Sequence, residues 1–154
     1  MQKLLELLSK RNETLGTIES ITGGLFASCV TSIPGASKVY NGSLITYSSL
    51  EKESLLHIKK EDIETFGVVS EEIASLMAKK GKEVLDVDLA ISFTGNAGPT
   101  CEPGGQPVGR VYIGIAYKND VFVKKFDFSG ERNFIRELSK DNAVEFTLEI
   151  LNKF

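Results

Sequence analysis

The feature that most constrains this chain is an alternation of two apolar periods. Stretches with helical spacing are separated by short β-rich runs that leave no room for a helix. Leu4, Leu5, Leu7 and Leu8 give residues 2–10 the apolar face of a short helix, and a first strand follows over 14–19. Thr22 stands where an N-cap belongs, ahead of the apolar run from Leu25 to Val30, and the Pro34-Gly35 turn stops that helix near Ser32. Residues 39–46 are rich in β-formers around Asn41-Gly42, which predicts a strand with a bulge or else a short hairpin. Ser48 and Glu51 form a capping box for a helix over 49–56, and Ser70 caps a longer helix ending near Leu85. Leu89 to Phe93 is a short apolar run, the mark of a central buried strand. Residues 108–117 and 121–128 alternate β-branched and aromatic side chains across Lys118-Asn119-Asp120, an antiparallel hairpin. The last helix, 131–151, carries Phe134, Ile135, Leu138, Ala143, Phe146, Ile150 and Leu151 on or near its inner face. Helices alternating with strands and then a hairpin predict an α/β fold, a three-layer α/β/α sandwich with a mixed sheet.

A chain of 154 residues holds one ordinary core, so residues 1–154 are read as a single domain. The formal charge of -3 gives no broad attraction to nucleic acid or to acidic membranes, and no basic stripe interleaved with aromatics is present. A phosphate ligand therefore needs a local positive site. Lys3, Glu6 and Lys10 break up the first apolar stretches, which leaves neither the core of a signal peptide nor the length of a membrane span. A cytoplasmic protein without a membrane partner is expected. Cys29 and Cys101 form no CxxC or zinc pattern and read as one buried filler and one loop thiol in a reducing compartment.

In α/β sheets ligands gather at the loops that leave the carboxyl ends of strands. Three such loops hold unusual residues here, at 19–24, 47–52 and 94–99. Singly, a serine ahead of a helix is a cap, a lysine on a first turn is solvated, and a Gly-Pro loop is a turn. Together they suit chemistry better. Ser20 sits at a strand-to-helix corner where Gly23 and Gly24 permit close backbone approach, so amides of the following helix could receive an oxyanion or a phosphate. Such a serine needs a base. His57, the only histidine, stands in no triad pattern and reads as a helix-end or surface residue, which leaves lysine. Lys52 falls in the first turn of its helix, where the macrodipole disfavours a cation, and burial pushes the same way. Lowering a lysine from about 10.4 to roughly 7–8 takes on the order of 4 kcal/mol, more than a dipole provides, so burial must supply most of it. Tyr47 either hydrogen-bonds the amine or simply finishes a strand.

Six motifs stand in order along the chain: Glu19-Ser20-x-Thr22-Gly23-Gly24, Ile33-Pro34-Gly35-Ala36-Ser37, Tyr47-Ser48-x-x-x-Lys52, Gly67-Val68-Val69-Ser70-Glu71, Thr94-Gly95-x-Ala97-Gly98-Pro99 and Pro107-Val108-Gly109. In this order and spacing they resemble the CinA C-terminal, or PncC, family, from about Leu4 to the final helix. The resemblance implies an amidohydrolase without metal or cofactor, which converts nicotinamide mononucleotide to nicotinate mononucleotide and ammonia in pyridine-nucleotide salvage. It implies Ser20 as nucleophile, Lys52 as general base and Tyr47 as the residue that orients or relays to them. Thr22, Gly23 and Gly24 would shape the pocket around the carboxamide. Thr94, Gly95, Asn96, Ala97 and Gly98 would hold the nucleotide, with Arg136, or Arg132 one helical turn earlier, as the local cation for phosphate. Relatives of this kind often form dimers or larger assemblies, so the implied partners are a small-molecule nucleotide and a second copy of the chain. A nucleotide-binding module with weak turnover is the alternative. The chain departs from the family at Ile21, Asn96, Arg110 and the segment 100–106, where a glycine-rich stretch ending in lysine is usual. These departures bear on substrate fit before chemistry.

Overall fold

The computed structural model describes residues 1–101 and 103–154; Glu102, in the divergent segment, lies outside the described residues. Strand β1 (Leu15–Glu19) is buried at every position, so both of its faces must be covered. Its neighbours β2 (Tyr40–Ile45) and β3 (Leu89–Gly95) run parallel to it on either side. β4 (Arg110–Tyr117) returns antiparallel along β3, and β5 (Asp120–Asp127) closes the hairpin, giving a mixed sheet ordered β2-β1-β3-β4-β5. The hairpin turns at Lys118, whose φ of 54° is left-handed.

Helices α1 (Gln2–Arg11), α2 (Leu25–Thr31) and α6 (Arg132–Leu151) contribute Leu4, Leu8, Phe26, Ile135 and Ile150 to a core shared with Phe93 and Ile113 of the sheet. Helices α3 (Ser49–Leu56), α4 (Lys60–Phe66) and α5 (Glu71–Leu85) build a second core from Leu56, Ile63, Ile73 and Met77 around Ile18 and Ala90. The sheet thus lies between two helical layers, as the alternating periods require. α5 comes closest to β1 at Gly81, where a Cβ would collide with Ile18.

Three local readings are resolved or corrected. The Asn41-Gly42 pair makes a bulge and no hairpin: β2 pairs Leu15 with Tyr40 and Gly16 with Gly42, so Asn41 is the extra residue. Helix α4 carries no clear apolar period, since Ile63 is its one buried residue, and sequence reasoning passed over it. Phe134, expected on the inner face of α6, is 55% exposed. Ser139 and Thr147 face inward in that helix, returning their hydroxyls to the carbonyls of Ile135 and Ala143 four residues earlier. No helix among the described residues is long and apolar enough to cross a membrane.

Candidate active site

The parallel trio points three carboxyl ends the same way, so the chain leaves β1 at Ser20, β2 at Thr46 and Tyr47, and β3 at Asn96, all toward one edge. Between these exits lies a cleft of about 710 Å³, the size of an ordinary small-molecule site. Ser20, Tyr47, Lys52, Asn96 and Arg132 all line it.

Ser20 is held at its amide by the Phe93 carbonyl of β3. Its hydroxyl lies 3.2 Å from the Lys52 amine. Lys52 comes from α3, whose start is fixed by the serine half of the expected capping box: the Ser48 hydroxyl accepts from the Glu51 amide at 3.1 Å, while the Glu51 carboxylate does not return to the Ser48 amide. Lys52 is 2% exposed, and its amine donates to the Thr46 carbonyl at 2.6 Å. No carboxylate pairs with it among the described residues. Burial therefore depresses its pKa from 10.5 to about 8. Protonated, Lys52 donates to Ser20; neutral, its lone pair can accept the serine proton.

The turn after Ser20 differs from expectation. Gly24 occupies the N-cap position of α2 with φ 96° and no side chain, and the Thr22 hydroxyl is buried without a partner. The cap comes from one residue before Ser20. Glu19, fully buried, accepts from the amides of Gly24, Phe26 and Ala27 at 2.9, 3.2 and 2.9 Å. Thr17 and Ser43 hydroxyls complete its shell. A lone acid ending an apolar strand just before Gly23-Gly24 was the available signal. Glu19→Gln is expected to lower unfolding stability by about 2–3 kcal/mol, because the amide nitrogen of glutamine faces backbone donors where an oxygen accepted; a denaturant titration checks it.

The remaining predicted residues divide. Thr94 lines the cleft and donates its hydroxyl to the Val68 carbonyl at 2.6 Å, which ties the 66–69 wall to β3. Gly95, Ala97 and Gly98 also line it, and a Cβ on Gly95 would press on the Arg110 carbonyl and Ile21. Arg132 donates to the Gly98 carbonyl at 2.7 Å and to the Tyr47 hydroxyl at 3.0 Å. Tyr47 is 62% exposed, and of its alternatives the direct bond between its hydroxyl and the Lys52 amine is not formed, since that hydroxyl faces Arg132 across the cleft mouth. Thr22, Gly23, Gly24 and Arg136 do not line the cleft. The Gly23 and Gly24 amides are already taken, by the Ser20 carbonyl and Glu19, so neither is open to an oxyanion. Arg136 spends its guanidinium on the carbonyls of Ile21 and Thr22.

Ser48 and Ser49 of the 47–52 loop also line the cleft, as do residues 66–69 and the segment 103–106, which sequence reasoning had not placed there. The family departures prove to be connected. Asn96 donates to the carbonyls of Thr100 and Gln106 and accepts from the Gly98 amide. Arg110 reaches the Gln106 side chain at 3.0 Å while paired with Asp127. His57 caps the end of α3 with φ 55° and is exposed. Neither cysteine is in a disulfide: Cys29 is half-buried in α2 and Cys101 is exposed.

A mixed α/β sandwich with a serine and a buried lysine meeting at the carboxyl ends of its parallel strands defines the class. Residues 1–151 match the CinA C-terminal domain, and the chain belongs to that family. It is 41% identical over 150 residues to a CinA-like protein of Petrotoga mobilis, an alignment that covers 97% of this chain and 37% of that one. The chain thus spans little more than a third of the length of the curated relatives it matches. Among solved structures, a CinA superfamily protein from Escherichia coli superposes with TM-score 0.93 at 28% identity, covering 96% of this chain and 86% of that one. The competence/damage inducible protein CihA from Agrobacterium tumefaciens gives TM-score 0.92 at 29% identity, with 96% and 91% covered.

Proposed function

We propose that this domain is an amidohydrolase that converts nicotinamide mononucleotide to nicotinate mononucleotide and ammonia through an acyl-enzyme on Ser20. The observation that carries the reading is the 3.2 Å approach of Ser20 Oγ to a buried Lys52 amine that has no carboxylate partner among the described residues and a pKa of about 8. At pH 7 such an amine is neutral in about a tenth of molecules, against a few in ten thousand for an ordinary lysine. Neutral Lys52 takes the Ser20 proton as Oγ bonds to the carboxamide carbon. The resulting ammonium returns that proton to the departing nitrogen, and the C–N bond breaks to free ammonia. Water then gives a proton to the amine and attacks the ester, which releases the carboxylate and restores the serine. Arg132, at the mouth of the cleft, keeps guanidinium hydrogens beyond its two bonds and suits a phosphate there.

Wild-type protein given nicotinamide mononucleotide should release ammonia and nicotinate mononucleotide in equal amounts. Saturable calorimetric binding with no product would instead leave a nucleotide-binding module. A panel of related amides identifies any better substrate. Arg132→Met is expected to raise KM for the mononucleotide by about 10-fold or more, through loss of a charge-assisted contact, while the corresponding nucleoside is little affected. Equal effects on both would remove Arg132 from the phosphate role.

A further inference from the structure

The amides of the nucleophile turn are unequally occupied. Glu19 takes those of Gly24, Phe26 and Ala27, the Gly23 amide donates to the Ser20 carbonyl at 3.2 Å, and the Leu25 amide donates to Thr22. Thr22 is fully buried, which puts its own amide out of reach of a ligand. The Ile21 amide, immediately after the nucleophile, has no protein acceptor among the described residues, and Ile21 lines the cleft. The residue after a nucleophilic serine is a favourable place for an oxyanion donor.

Arg136 is connected to that amide without touching the cleft. Its Nη2 donates to the Thr22 carbonyl at 2.7 Å, its Nε to the Ile21 carbonyl at 3.2 Å, and its Nη1 to Asn133 at 3.1 Å. The Thr22 carbonyl and the Gly23 amide belong to one peptide group, and the Ser20 carbonyl and the Ile21 amide to another. A continuous line therefore runs from the guanidinium through the Thr22–Gly23 peptide to the Ser20–Ile21 peptide, ending on the N–H that has no protein acceptor among the described residues. Hydrogen bonds in series polarise one another, and a full positive charge at one end strengthens the donor at the other.

We infer that Arg136 is a positioning residue that acts through these two peptides to hold and polarise the Ile21 amide as the oxyanion donor of the site, and that it is not a ligand of substrate phosphate. The inference rests on Ser20 being the nucleophile of the proposed reaction, and it extends to any tetrahedral adduct with a developing oxyanion, carbonyl or phosphonyl. Glu19 complements the arrangement by occupying the competing amides.

An alkyl fluorophosphonate tests this independently of the natural substrate. Ser20 Oγ bonds to phosphorus, the P–F bond breaks, fluoride departs and the serine proton passes to Lys52. Labelling is followed by intact mass from pH 6 to 10 in wild type, Arg136→Met and Arg136→Lys, with thermal melting to confirm folding. Arg136→Met should label about tenfold or more slowly, because a polarised donor to the oxyanion is weakened. Arg136→Lys, which keeps the charge but reaches one carbonyl, should fall between and carries the test if the methionine variant does not fold. Both should keep the wild-type pH midpoint, since Arg136 does not contact Lys52. With the mononucleotide and its nucleoside, kcat should fall in the same proportion for both, with KM within about twofold. Labelling at the wild-type rate in either variant overturns the inference, and so does a rise in KM confined to the phosphorylated substrate. Wild type that labels at Ser20 but releases no ammonia sinks the amidase reading and leaves the inference standing. Wild type that does not label overturns the inference, as no activated serine is then present.

Discussion

Ser20→Ala is expected to lower ammonia release at saturating mononucleotide by about 10³-fold or more, while mononucleotide affinity changes by no more than about threefold. The reason is the division of labour in the cleft. In the proposed reaction Ser20 supplies the attacking oxygen, whereas Arg132, Asn96, Ala97 and Gly98 line the pocket from other elements and are not held by its hydroxyl. Ser20 is itself positioned by its backbone, through the Phe93 carbonyl and the Gly23 amide, so alanine preserves the turn. A group that bonds covalently only along the reaction path contributes to turnover and little to ground-state binding. Single-turnover ammonia assays beside calorimetry provide the check. A variant within tenfold of wild type would remove the acyl-enzyme, and a parallel loss of affinity would show that the hydroxyl binds substrate in the ground state.

Much of this site could be read from the chain because its residues lie next to strong local signals. The capping box at Ser48 and Glu51 fixes where α3 begins, and hence that Lys52 lies one turn inside it, near the end of β2. The short apolar run from Leu89 to Phe93 places β3 at the centre of the sheet, and with it the exit at Asn96, while the strand read over 14–19 brings the chain to Ser20. What sequence could not supply is the direction of side chains that serve the backbone. Thr22 has the chemistry of a cap, yet Glu19 does the capping, because a carboxylate on the buried face of β1 reaches three amides at once. Arg136 has the charge for a phosphate, but two carbonyls of the turn after Ser20 already hold it. Phe134 falls on the helical period yet stays exposed, at the first turn of α6, where that helix overhangs the cleft mouth through Arg132. In each case a local pattern was satisfied by two partners, and only the packing of distant elements decided between them.

Lys52→Met is expected to abolish turnover and, at pH 7, to make the protein more stable than wild type by about 1–2 kcal/mol. The amine titrates near 8 when folded and near its ordinary 10.5 when unfolded. Between those values the unfolded chain holds the extra proton, so wild-type stability rises with pH across this window. Below 8 the cost of burying the cation is present in full, about 3 kcal/mol for a displacement of this size. Methionine fills a similar volume without charge, but leaves the Thr46 carbonyl without its 2.6 Å donor, a loss of about 1–2 kcal/mol. The balance favours the variant at neutral pH and reverses above about pH 10.5, where wild type no longer carries the penalty. For a chain of this length the neutral-pH gain corresponds to a rise in Tm of about 2–8 °C. The same titration governs catalysis, because kcat/KM of wild type should climb tenfold per pH unit below an acid limb centred near 8 and level off above it. Melting curves and rate profiles from pH 6 to 11 measure both. A limb centred above about 9.5, or a methionine variant that melts lower than wild type at pH 7, would mean that the amine is not held as a destabilised cation, and the base assigned to Ser20 would have to be sought elsewhere.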